Sequence, residues 1–284
     1  MKQIHFLIAI IILFFTSCTT TRLQLQVKNY VKQKPARIGV AIAYDGKTIC
    51  GINAKKKFPM MSVFKLHQAN AVLDSLDNDT TRLSERIWIS KDLLHKDTYS
   101  PLRDKYPEGD IHLTLAELLR YSVCLSDNNA CDILFERFGG TAYANKRMKA
   151  LKLHHTQIKW KEADMHEDTR RCYDNYTTPK DALLLLEKAY GNKWLHTCLS
   201  ECKTGQNRIP ALLPQNTIVG HKTGTGDKTS EGIYRGINDI GFIGLPNGKH
   251  IFIAIFCDEA KMTIEEAEAI IAEIARMAYS FGEK

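Results

Sequence analysis

Metal and redox signatures are missing from this chain. Its eight cysteines include no CxxC pair and no Cys/His cluster at ligand spacing, which argues against a structural zinc site or any other resident metal. No apolar run is long enough to cross a bilayer, which takes about 18 to 20 residues. The longest, Phe6 to Phe15, has ten. No fixed-period repeat appears, so solenoids and propellers are excluded. A nucleic-acid surface is not expected either: the longest basic run is Lys55-Lys56-Lys57 without aromatic interleaving, and the net charge of +7 is spread over 39 basic and 32 acidic residues. With 44% hydrophobic and 25% charged residues in 284, the chain is neither disordered nor collagenous and can build one large domain or two lobes.

The N-terminus reads as an address. Lys2, the apolar run and the small residues of Phe15-Thr16-Ser17-Cys18 form an export signal over residues 1–17. The ending resembles a bacterial lipobox, which would make Cys18 a lipidated N-terminus; ordinary signal cleavage is the alternative. Either processing exports the chain, with a periplasmic, membrane-anchored location expected. Seven cysteines follow: Cys50, Cys124, Cys131, Cys172, Cys198, Cys202 and Cys257. The odd count leaves at least one unpaired within the chain, and we read most of them as small core residues with no essential disulfide.

The two ends are strand-rich. Arg37 to Tyr44 and Lys47 to Ala54 flank Asp45-Gly46, a hairpin signal because the turn needs positive φ. Asn238 to Leu245 and Lys249 to Cys257 flank Pro246-Asn247-Gly248 in the same way. Thr263, with Glu266 three residues on, opens a helix to about Phe281. The centre is helical: a capping box at Thr114 and Glu117, a helix over 129–138 stopped by Gly139-Gly140, and another from Thr178-Pro179 to Gly191. An α+β fold follows, with one antiparallel sheet built from both chain ends, flanking helices and an all-helical insert. Residues 18–284 form the catalytic domain, its α/β lobe at about 25–59 and 208–284 and its helical lobe at about 60–207. The cleft between the lobes is the expected site.

Three short motifs carry chemistry. Ser62 and Lys65 are one helical turn apart, so an amine can take the proton of a hydroxyl nucleophile. The pattern recurs at Ser200 and Lys203, and Lys-Thr-Gly occurs at both 203 and 222. Only Lys222-Thr223-Gly224 follows a β-like run, Thr217 to Gly220, so the copy at 200–205 is read as a decoy. The third motif is Ser126-Asp127-Asn128, for which a helix N-cap is the plainer alternative.

In the order Ser62-x-x-Lys65, Ser126-Asp-Asn128, Lys222-Thr-Gly224, these motifs resemble those of class A serine β-lactamases. The resemblance covers essentially the whole mature chain. It is strongest to the Bacteroides-type branch, through Ser-Val-Phe-Lys, Ser-Asp-Asn-Asn-Ala-Cys-Asp and Gly-His-Lys-Thr-Gly. It implies hydrolysis of the β-lactam amide through a Ser62 acyl-enzyme without a cofactor, by a monomer. Ser126 would relay a proton to the leaving nitrogen, Asn128 would bind the substrate side-chain amide, and Lys222 with Thr223 its carboxylate. The N–H groups of Ser62 and Thr225 would form the oxyanion hole. The deacylating base best matches Glu162, with Glu167 as the alternative and a plain surface carboxylate as another reading of Glu162. His166 replaces the asparagine that usually helps hold the water. Trp160 and Asn175 replace the loop's Arg–Asp clamp, suggesting a differently folded or looser loop. Tyr99 is either the aromatic wall of the cleft or a packing tyrosine; Arg208 is either an extra cation near the substrate carboxylate or a solvent arginine. Met61 and Gly226 occupy positions where some carbapenem-hydrolysing relatives carry a cysteine pair. Thr225 and the branch favour cephalosporins with some penicillins. A D,D-peptidase acting on peptidoglycan and an inactive lipid-anchored binding protein of the same fold are the alternatives.

Overall fold

A computed structural model describes residues 21–77 and 79–283; the export signal and Cys18 lie outside these residues. The chain opens with helix α1 over residues 21–32. It continues through β1 (Arg37–Tyr44), β2 (Lys47–Ile52) and β3 (Phe58–Pro59) to a 3-10 turn, Met61–Val63, that leads into α2 (Phe64–Asp74). The middle segment holds β4 (Arg86–Ile89), α3 (Pro101–Lys105), β5 (Ile111–Thr114), α4 (Leu115–Cys124), α5 (Asn128–Arg137) and α6 (Gly140–Ala150). It then runs through α7 (Glu162–Glu167), β6 (Tyr176–Thr177), α8 (Pro179–Tyr190) and α9 (Lys193–Ser200). The chain closes with β7 (Val219–Thr225), β8 (Ile237–Gly244), β9 (His250–Asp258) and α10 (Ile264–Gly282).

The expected single sheet forms, in the order β2-β1-β9-β8-β7 with antiparallel neighbours. N- and C-terminal strands meet where β1 pairs β9, Val40 opposite Ile255. Side chains alternate between faces along a strand, and here both faces are dry. Val40, Ile42, Ile251, Ile253 and Ile255 point into a core shared with Leu23 and Val27 of α1 and Ile270 and Ile274 of α10. Their neighbours Ala41, Ala43, Phe252, Ala254 and Phe256 point into a second core with α2, α4, α5 and α8. Burial on both faces explains why β1 and β9 read as nearly unbroken apolar runs.

The capping boxes at Thr114/Glu117 and Thr263/Glu266 are both made, each worth about 1 kcal/mol. The middle segment is not purely helical. Arg86–Ile89 pairs with Ile111–Thr114, and Tyr176–Thr177 with Phe58–Pro59. β4 is short and alternates exposed and buried residues, a strand period too brief to stand out in a helical context. Gly139-Gly140 ends α5 as expected, but Gly140 also opens α6. Among the described residues no helix is long and apolar enough to cross a membrane.

Candidate active site

Ser62 sits in the 3-10 turn between β3 and α2, not inside a regular helix. The preceding Met61 has φ 47°, and Ser126 has φ 60°. Left-handed backbone costs about 1–2 kcal/mol for a residue with a side chain, and such strain collects where a side chain must be aimed. The turn is clamped to the sheet: Asn238 Nδ2 donates to the carbonyls of Pro59 and Met60, at 2.9 and 3.2 Å. β7 then passes so close that a Cβ on Gly224 would lie 2.5 Å from the Met60 carbonyl oxygen. Only glycine fits there, which gives the third residue of Lys222-Thr223-Gly224 its physical reason.

Lys65, first turn of α2, is fully buried. Its ammonium lies 2.9 Å from Ser62 Oγ, 3.0 Å from the Ser126 carbonyl, 2.6 Å from Asn128 Oδ1 and 2.6 Å from Glu162 Oε1. Three N–H donors thus face four oxygens, of which only the Ser62 hydroxyl carries a proton of its own. Lys222, also fully buried, donates to Ser126 Oγ and to the Thr223 carbonyl, both at 2.9 Å. Burial, helped by the charge of Lys65, lowers the Lys222 amine to about 8. Asn128 Nδ2 donates to Thr98 Oγ1 at 2.7 Å, so its amide is held from both ends.

The open edge of β7 supplies a further donor. Gly226 N–H bonds the Gly236 carbonyl at 2.8 Å, and Thr225 pairs with Ile237 one step back. Because hydrogen-bonded and non-bonded pairs alternate in an antiparallel ladder, the Thr225 N–H points away from β8. It borders, with Ser62, a cavity of about 620 Å³ whose walls include Tyr99, Ser126, Asn128, Glu162, His166 and Thr223.

Residues 22–281 match the model of the β-lactamase enzyme family. A β-lactamase of Bacteroides uniformis is 36% identical, covering 96% of this chain and 98% of that protein. Beta-lactamase VEB-1 of Pseudomonas aeruginosa is 39% identical, covering 97% and 96%. The crystal structure of TLA-1 extended-spectrum β-lactamase superposes with a TM-score of 0.90 at 38% identity, over 93% of this chain and 99% of that one. The chain belongs to the class A serine β-lactamases.

This β-lactamase settles several alternatives left open by its sequence. Glu162, not Glu167, faces the nucleophile; Glu167 is exposed and pairs with Arg171 at 3.0 Å. Asp127 is the N-cap of α5, accepting the Ala130 N–H at 2.8 Å, whereas Ser126 points into the cleft. Arg208 is buried, not a solvent arginine: it donates to Thr225 Oγ1 at 2.7 Å and to the carbonyls of Gly224 and Asn238. Tyr99 is 57% exposed at the cavity wall, which fits a cleft wall better than a packing residue. Met61 and Gly226 do face each other, with 2.8 Å between a Cβ built on Gly226 and Met61 Cε.

The loop carrying Glu162 in this β-lactamase is differently clamped rather than loose. Buried Asn175 accepts from the N–H groups of Lys159 and Trp160 at 2.7 and 3.0 Å and donates to the Trp160 carbonyl at 2.8 Å. An amide gripping backbone replaces an ion pair. Sequence reasoning missed Asp132, one turn along α5 from Asn128. Its carboxylate accepts the N–H groups of Glu162 and Ala163 at 2.9 and 2.8 Å. Burial and the nearby Glu162 charge push Asp132 up to about 6. Its place four residues after Asn128, on the same helical face, was the available signal.

The motif at 200–205 is a decoy in its lysine but not in its threonine. Lys203 is exposed and its backbone N–H bonds the Cys124 carbonyl, while Thr204 Oγ1 lies 2.6 Å from Thr223 Oγ1 and borders the cleft. Lys203→Ala is expected to leave kcat/KM within about twofold of wild type, as for an exposed side chain worth under about 0.5 kcal/mol. A large loss in a β-lactam hydrolysis assay would reassign the triplet. The seven described cysteines are all buried, as expected of small core residues; Cys124 and Cys198 bring their sulfurs to 2.7 Å, and Cys202 falls beyond the end of α9.

Proposed function

We propose that this β-lactamase works through an acyl-enzyme on Ser62, with cephalosporins and some penicillins as substrates. The observation that carries this reading is the shared Lys65 ammonium, in contact with both Ser62 Oγ and Glu162 Oε1. Sharing that nitrogen at 2.9 and 2.6 Å keeps the two oxygens close enough for a single water to hydrogen-bond both.

In acylation, Ser62 Oγ attacks the lactam carbonyl carbon while its proton passes into the Lys65–Glu162 pair. The N–H groups of Ser62 and Thr225 receive the developing oxyanion. The ring C–N bond breaks as Ser126, hydrogen-bonded to Lys222, hands its proton to the nitrogen and regains one from the pair, which leaves Glu162 ionised again. In deacylation, Glu162 takes a proton from water, the water oxygen attacks the ester carbonyl carbon, the bond from that carbon to Ser62 Oγ breaks, and Glu162 returns the proton to Ser62. Asn128 binds the side-chain amide; Lys222 and Thr223, backed by Arg208, bind the carboxylate; Tyr99 walls the cleft. His166, one turn after Glu162 and bordering the cavity, stands where the family's water-holding asparagine would be. The neighbour TLA-1 is named an extended-spectrum enzyme, which supports the cephalosporin side of this reading.

Stopped-flow turnover of a chromogenic cephalosporin tests the assignment: many equivalents should be hydrolysed per enzyme. A burst of one equivalent followed by a stable adduct would instead mean a D,D-peptidase. The Lys222 amine adds a pH signature. A group lowered to about 8 is charged below that value and neutral above it, so carboxylate binding weakens as pH rises. The kcat/KM profile should fall on an alkaline limb near 8, while kcat at saturation falls later because the bound anion stabilises the ammonium. A kcat/KM profile flat well beyond that value would remove Lys222 from the carboxylate site.

We further propose export with processing before Cys18, lipid attachment there, a periplasmic location and a monomeric enzyme. The N-terminal mass of protein recovered from the membrane fraction checks the processing and the lipid.

A further inference from the structure

Behind the cleft, beside β7, lies a second cavity of about 300 Å³ whose walls include Cys202, Gln206, Pro210, Leu213, Val219 and His221. None of these residues takes part in the proposed hydrolysis. His221 is buried on β7, and its Nδ1 sits 2.9 and 3.0 Å from the two carboxylate oxygens of Asp239 on β8. Asp239 is fully buried, and its Oδ2 also accepts the Ile209 N–H at 3.2 Å. The same imidazole shares the cavity wall with the Cys202 thiol. A thiol, a cationic imidazole and the carboxylate that holds its charge therefore stand together, at the wall of a cavity wide enough for a small molecule.

We propose that Cys202, with His221 and Asp239, forms a second reactive site, separate from Ser62, that is covalently modified by small soft electrophiles entering this cavity. The electrostatics support the geometry. Burial opposes the Cys202 thiolate, but His221, with help from Lys222 on the same strand and the Thr204 hydroxyl, brings the thiol down to about 7. Burial likewise opposes the imidazolium, and Asp239 outweighs it, holding His221 up to about 10. By contrast Cys50 and Cys257, without such partners, are pushed up by burial to about 12. The thiol first releases its proton to solvent; with an alkyl halide the Cys202 thiolate sulfur then forms a bond to carbon, the carbon–halogen bond breaks and halide leaves with the bonding pair, while His221 keeps its own proton throughout.

The site also communicates with the cleft. Cys202 Sγ lies 3.4 Å from Thr204 Oγ1, which lies 2.6 Å from Thr223 Oγ1. Alkylation removes the thiol proton available to this contact and so disturbs Thr204 and, through it, the carboxylate subsite; this consequence rests on the proposed role of Thr223.

Iodoacetamide on the intact wild-type enzyme, followed by peptide mapping, tests the proposal. Cys202 should be carbamidomethylated at least about tenfold faster than the other six described cysteines, because rate follows thiolate fraction and access. Its rate should be half-maximal near pH 7. Labelling no faster than the rest, no labelling at all, or a rate still climbing well above pH 8 would overturn the site. Fully modified enzyme should lose about tenfold in kcat/KM through a raised KM, the order expected when one binding group is displaced, and Cys202→Ala should be insensitive to the reagent. Unchanged kinetics after complete labelling would remove the link to the cleft while leaving the labelling result to stand on its own. Because labelling is read by mass without any β-lactam, its failure is distinguishable from failure of the hydrolytic mechanism.

Discussion

Replacing Ser62 with alanine is expected to lower β-lactam turnover by about 10⁴- to 10⁶-fold, the scale seen when an activated nucleophile is removed from a group that acts as a unit. The fold should survive. Lys65 keeps the Ser126 carbonyl, Asn128 Oδ1 and Glu162 as partners, so no buried charge is stranded, and the lost hydroxyl is a single half-buried group. Thermal unfolding of the variant close to wild type, together with abolished hydrolysis of a chromogenic cephalosporin, would assign chemistry and not stability to Ser62. Turnover retained within tenfold would assign the nucleophile elsewhere.

Removing the base should separate the two half-reactions. In Glu162→Gln the amide keeps a carbonyl oxygen for Lys65, whereas alanine would leave a fully buried ammonium short of its carboxylate, a loss that costs about 3–5 kcal/mol when a buried pair is broken. Both variants should still acylate and then deacylate more slowly by about 10²–10⁴-fold, the range attributed to a positioned general base. Intact mass would show enzyme plus one substrate equivalent persisting after mixing, with Gln the better-folded of the two. Free enzyme at wild-type turnover would place the base on another residue. Failure of Gln to acylate would mean that the Ser62 proton needs the carboxylate of the pair and cannot be taken by Lys65 alone.

Much of this arrangement was legible in the chain. The Asp45-Gly46 and Pro246-Asn247-Gly248 turns announced their hairpins, because few residues accept such backbone angles. The capping boxes at Thr114 and Thr263 marked two helix starts through local hydrogen bonds. The spacing of Ser62 and Lys65 carried the nucleophile and its amine, since one helical turn fixes their approach. All of these are interactions between residues close in sequence, and their physics is local.

What remained hidden depends on partners far apart in the chain. Asp132 reaches the backbone of Glu162 from 30 residues away, and Asn238 holds the nucleophile's turn from 179 residues away. Arg208 is buried because β7, β8 and α10 close around it, with Glu268 of α10 at 3.1 Å; the polar Gln206-Asn207 before it says nothing of this. Thr204 enters the cleft only because the turn after α9 lands against β7, and Cys202 gains a reactive setting only where β8 brings Asp239 to His221. Sequence determined the elements, their ends and the identity of the reacting groups. Tertiary packing decided which strand edge faces the cleft, which charges are stripped of water and which carboxylate meets the shared ammonium, because desolvation and hydrogen-bond geometry arise only when distant segments are pressed together.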